Sequence, residues 1–237
     1  RSFGAGRNRA EAERPLILMV GTTRVAFVGA LCPETYFDNW EESQDQADFK
    51  RYGRLMDSRL AATSDEPGTV VATPEKVAQL VRQAASQADL VVACLHFGVR
   101  YHRPVTAHQR ALAQAAVRAG AGLVVGHHAH LWQPVEVFQG VPILYGLGNF
   151  AFGSANRQAD EGLLARAILN GHRVEAVELF PLYTKNRDPD VNYQSKVFEE
   201  AGAREVIADL AKLSRPFATT ILFEQGRGVL RLPVPRP

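Results

Sequence analysis

Two apolar runs without polar alternation, residues 90–95 and 123–125, are joined by an amphipathic stretch over 105–119 that stops at Gly120. A strand that does not alternate is covered on both faces, the condition of a parallel sheet. A helix between two such strands makes a β-α-β unit whose strands run the same way. The fold class expected is therefore α/β, with β-sheet layers flanked by helices. Upstream, Thr73-Pro74-Glu75 combines a helix N-cap, a proline at the first helical position and an acid at the positive end of the helix dipole. Val77, Leu80, Val81, Ala84, Ala85 and Ala88 follow at helical spacing, so a helix leads into the first buried strand.

The other elements are shorter. Residues 1–14 read as a loop. Residues 16–20 and 25–28 read as strands joined at Gly21-Thr22-Thr23, residues 39–67 as a loop with short helical pieces, and Val70-Val71 as a short strand. Hairpins are expected over 134–138 and 142–145 around Gln139-Gly140, and over 163–169 and 174–179 around Asn170-Gly171. A helix over 203–213 and one or two edge strands over 217–234 complete the chain. Of the 237 residues 46% are hydrophobic, enough for one large core or a core with an appendage. We divide the chain into a principal domain, residues 1–182, and a helix-and-strand extension, 183–237.

The net charge is only +2, and no block of basic residues occurs, so no nucleic-acid partner is expected. The longest unbroken apolar run, 90–95, is too short to span a membrane. Of the two cysteines, Cys32 and Cys94, the second lies inside an apolar strand and reads as a small buried hydrophobe. The chain begins at Arg1 without a methionine or a signal-peptide pattern, and a missing upstream segment is expected.

Six of the seven histidines lie between positions 96 and 130. His96 directly follows one buried strand, and Gly126-His127-His128-Ala129-His130 directly follows the other. Parallel strands put their carboxyl ends at one edge of the sheet, where ligand sites of open α/β sheets form. The return through 134–138 and 142–145 brings Gly146-Leu147-Gly148-Asn149 to the same rim, where Gly148 allows close backbone approach and Asn149 offers an amide. His128 and His130, two apart in an extended loop, point the same way and can ligate metal. Any one of these histidines alone reads as a hydrogen-bonded loop residue; together at adjacent strand ends they read as metal ligands. His127 points away from the other two, His108 is expected to face solvent, His172 sits in a turn, and His102 is a candidate on the substrate side.

His96-Phe97-Gly98, the Gly126–His130 cluster and Tyr145-Gly146-Leu147-Gly148-Asn149-Phe150, in that order, resemble the CapA-type capsule-synthesis family. That family is linked to poly-γ-glutamate biosynthesis and belongs to the calcineurin-like metallophosphatase superfamily. Gly4-Ala5-Gly6-Arg7-Asn8 resembles an internal segment of it. The resemblance runs loosely from Gly4 to Pro181 and specifically from Leu95 to Phe152. It implies a two-metal phosphoesterase centre holding Mn, Zn or Fe, with His96 and His128 on one ion and His130 on the other. These three would be the catalytic and metal residues; Arg100, His102, Gly148 and Asn149 would contact substrate.

The superfamily's Asp-x-His, bridging acid and Asn-His motifs are not found: Asp45 and Asp48 flank no histidine, and Asn39 precedes Trp40. The chain therefore resembles the C-terminal portion of a longer protein, with membrane association through its N-terminus and a place at the cell envelope or its outer face. Phe97 stands where the family usually has Trp, Ala129 where it has Pro, and Arg100 where it has Glu. A guanidinium there could clamp a phosphate or carboxylate.

Three functions follow from the resemblance. The parent is a metal-dependent hydrolase of phosphoester type. Alternatively it is a non-catalytic binding or assembly component for an anionic capsule polymer. As a third reading, this chain alone is inert, binding metal weakly or as a single ion.

Overall fold

The computed structural model describes residues 2–32, 60–152, 159–189 and 191–233. Asn39, Asp45 and Asp48, with residues 39–59 of the loop expected over 39–67, lie outside the described residues. Contacts divide the chain into two compact units, Arg1–Arg100 with Thr106–His128, and Tyr101–Val105 with Ala129–Pro237.

In the first unit, β1 (Ala5–Gly6) pairs antiparallel with β4 (Gly68–Thr69). Between them in sequence lie α1 (Arg9–Glu13), β2 (Leu16–Val20) and β3 (Thr23–Leu31). The short helix α1 corrects the expected loop over 1–14. Its N-cap is Asn8, whose Oδ1 accepts from Glu11 N at 3.0 Å, and Arg7 pairs with Glu11. The Val70-Val71 strand is displaced: Gly68–Thr69 is the strand, and Val71 forms an isolated bridge to Leu31.

The core of this unit is α2 (Pro74–Ala85), β5 (Leu90–Phe97), α3 (Ala107–Arg118) and β6 (Leu123–His128). Thr73 caps α2 as expected. At α3, Thr106 Oγ1 accepts from Gln109 N (3.0 Å) while Gln109 Oε1 accepts from Thr106 N (3.1 Å), a reciprocal cap. β2 is antiparallel to β3, whereas β3, β5 and β6 run parallel. The buried residues Leu90, Val91, Val92, Ala93 and Leu95 of β5 carry the unalternated pattern; each Val or Leu so buried contributes about 1.5–3 kcal/mol. Both parallel strands run beyond their apolar runs, so His96, His127 and His128 stand inside strands and not in loops.

The second unit contains two hairpins, β7 (Val135–Phe138) with β8 (Val141–Leu144), and β9 (Glu161–Asn170) with β10 (Arg173–Tyr183). The central strand β10 also pairs with β11 (Lys196–Val197) and β13 (Arg227–Arg231), and β13 pairs with β12 (Leu222–Glu224). Helix α4 (Glu200–Ser214) buries Ala203, Val206, Ile207 and Leu210 against this sheet. Ser214 Oγ at its end accepts from Val135 N at 3.0 Å, tying the helix to the first hairpin.

Candidate metal centre

In the first unit the parallel register sets Phe97 opposite His128 and His96 opposite His127. Leu95 and Phe97 point into the core, so alternation turns the intervening His96 outward, where it is exposed. His128 Nδ1 lies 3.1 Å from His96 Nε2. The rings meet edge-on, with centroids 4.8 Å apart and planes at 62°. Without metal, one ring donates its N–H to the other. Bonds of about 2.0–2.1 Å at the tetrahedral angle would put two nitrogens on one zinc ion about 3.3 Å apart. The observed spacing therefore fits two ligands of a single ion. His128 holds φ +100°, a conformation rare outside glycine, at the residue where β6 ends.

In the second unit His130 Nδ1 lies 2.8 Å from Asn149 Oδ1. The His130 ring packs against Phe152 and Tyr101, with centroids 4.7 and 5.7 Å away. His130 also has a positive φ, +56°. The segment is thus not extended, which corrects the expectation that alternation aims His128 and His130 the same way: two left-handed residues break the two-residue period.

Asn149 is 4% exposed, and its Nδ2 is buried without a hydrogen bond among the described residues. Its backbone is clamped against the start of β9. Gly148 has φ +73°, and a Cβ there would stand 2.8 Å from the Glu161 carbonyl oxygen; a Cβ on Gly162 would overlap the Asn149 carbonyl oxygen. The next residues are pinned by side chains that the sequence did not single out. Asn186 Nδ2 donates to Phe150 O at 2.6 Å and to Phe152 O at 3.1 Å, and Ser195 Oγ donates to Phe150 O at 2.6 Å. No local motif marks Asn186 or Ser195; both reach this loop from more than thirty residues downstream.

Arg100 is exposed at the end of its segment in the first unit. His102, in the second, is half-buried and accepts from Gln133 Nε2 at 3.0 Å through its carbonyl. Beside it, Arg103 was not anticipated. Its guanidinium stacks 3.6 Å from the Trp132 ring centroid and donates to Trp132 O at 3.1 Å. Trp132 Nε1 donates to Glu161 at 2.9 Å. Arg103, Glu161, Tyr101 and Tyr183 line a cleft of about 660 Å³ within this unit. His108 is half-buried, with Nε2 3.9 Å from Cys32 Sγ, which corrects its expected exposure to solvent; His127 and His172 are exposed.

Two imidazoles fit two positions of a coordination shell. Among the described residues no group of three or more His, Cys, Asp or Glu is placed to hold a metal ion, so the described residues do not complete the shell. Also among them, no helix is long and apolar enough to cross a membrane.

Over 150 residues the chain is 32% identical to the PGA biosynthesis protein CapA of Bacillus subtilis (strain 168), covering 63% of this chain and 40% of that protein. It is also 32% identical over 132 residues to the capsule biosynthesis protein CapA of Bacillus anthracis, covering 54% of this chain and 32% of that protein. The chain thus spans less than half the length of these relatives. Among solved structures, the calcineurin-like phosphoesterase YfkN from Bacillus subtilis overlaps 83% of this chain and 52% of its own, at 13% identity and a TM-score of 0.35, too low to bear on the fold. The profile of the bacterial capsule synthesis protein PGA_cap family matches residues 1–154, a span that contains His96, His128, His130 and Asn149. That match covers more than half of the chain, which therefore belongs to the PGA_cap family of bacterial capsule synthesis proteins.

Proposed function

We propose that this chain supplies the histidine part of a metal-dependent hydrolase centre of phosphoester type, in a longer protein of capsule or poly-γ-glutamate synthesis at the cell envelope. The observation that carries this reading is the 3.1 Å approach of His96 Nε2 and His128 Nδ1 at the carboxyl ends of two parallel strands. His96 and His128, in the first unit, would hold one divalent ion; His130, in the second, would belong to the other ion that the family resemblance implies. Manganese, zinc and iron all suit such a set. When bound, the ion supplies Lewis acidity and lowers the pKa of a coordinated water. Arg100, exposed after β5, would meet the phosphate or carboxylate of an anionic substrate. Carboxylate ligands, needed for charge balance and bridging, would come from the parent's remaining sequence or from residues outside those described.

The test is metal content and phosphodiester hydrolysis of the full-length protein with and without His128→Ala. Loss of both is expected; if neither changes, the site is wrongly assigned. The absence of a three-donor group among the described residues favours a second reading, a non-catalytic binder of an anionic capsule polymer. Binding of poly-γ-glutamate that survives chelation, without turnover, would select it.

A further inference from the structure

We infer that Asn149 is a positioning residue, holding the His130 ring in its Nδ1–H tautomer so that Nε2 carries the lone pair. A neutral imidazole has one N–H and one lone pair, and the partner of one nitrogen decides the role of the other. His130 Nδ1 lies 2.8 Å from Asn149 Oδ1, and a carbonyl oxygen only accepts, so Nδ1 donates. Phe152 and Tyr101 pack against the ring and restrict its rotation.

The asparagine is held more firmly than a loop residue needs to be. Gly148 and Gly162 let its backbone press against β9, where Leu163 N donates to Leu147 O at 2.7 Å. Asn186 and Ser195 both bond to the carbonyl of the following residue, Phe150. The amide Nδ2 is buried without a hydrogen bond among the described residues, a cost that an apolar side chain would avoid. What the fold gains from an amide here is its oxygen, delivered to His130. Outer partners of this kind set ring orientation and basicity at metal sites.

The inference rests on the reading of His130 as a donor of the proposed centre, but the tautomer is measured without metal. Long-range proton–nitrogen spectra of 15N-histidine-labelled protein, in chelator at pH 8, report the tautomer of each ring. His130 is assigned by the signal lost in His130→Gln. The Nδ1–H form is expected in the wild type, displaced toward Nε2–H in Asn149→Ala and restored in Asn149→Asp, which keeps an acceptor. A wild-type His130 in the Nε2–H form overturns the inference, even if the alanine variant fails to fold. So does an Nδ1–H form that persists unchanged in the alanine variant. Failure of the wild type to bind zinc, with the tautomer responding as described, refutes the functional reading and leaves the positioning role standing.

Discussion

His128 adopts a backbone that glycine reaches at little cost and histidine does not. Such strain costs roughly 1–3 kcal/mol and persists only where surrounding contacts enforce it. Here it falls on the residue whose ring meets His96. His128→Gly should therefore raise the unfolding free energy by about 1 kcal/mol, once the extra chain entropy of glycine is deducted, while metal binding weakens. Urea unfolding beside a metal titration checks both. Loss of stability would show that the ring's packing outweighs the strain, and that the conformation is not held for function. The positive φ was not legible in the sequence, because histidine carries no local signal for it. The spacing of His96 and His128 was legible, because parallel strands bring their ends together whatever the connecting loops do.

At the scale of elements, the strongest sequence signals were those written in local chemistry. Thr73-Pro74-Glu75 starts its helix, and Asn170-Gly171 turns its hairpin. The same chemistry marked α1, since Asn8 stands three residues before Glu11, but a five-residue helix is too short for a periodic pattern. The ends of β5 and β6 were misjudged because apolar character stops before the hydrogen-bond ladder does; the pairing continues through Phe97 and His128.

The second sheet carries a charge cluster that the sequence did not reveal. Glu178 of β10 lies between Arg166 of β9 and Arg227 of β13, the latter donating at 2.8 Å. Burial alone would raise the Glu178 pKa, but hydrogen bonds and charge from the two arginines outweigh it and hold the carboxyl below its usual range. A depressed carboxylate contributes stability above its unfolded value, about 4.3, and that contribution is lost as pH falls through the folded value. Glu178→Gln should thus be less stable than wild type at pH 7, and the gap should close as unfolding is followed downward from pH 4. A gap that stays constant with pH would show that the cluster contributes packing and not charge.

For the whole molecule, the α/β class and the family were legible because one β-α-β unit and three ordered motifs lie within residues 1–154. The support of the second-unit histidine was not, because Asn186 and Ser195 arrive from distant sequence. The central claim is that His96 and His128 are ligands of one ion. Calorimetric titration of the metal-free chain with zinc tests it most directly. One ion per chain is expected, with binding lost in both His96→Ala and His128→Ala. Two tightly bound ions per chain, or binding unchanged in either variant, would contradict it.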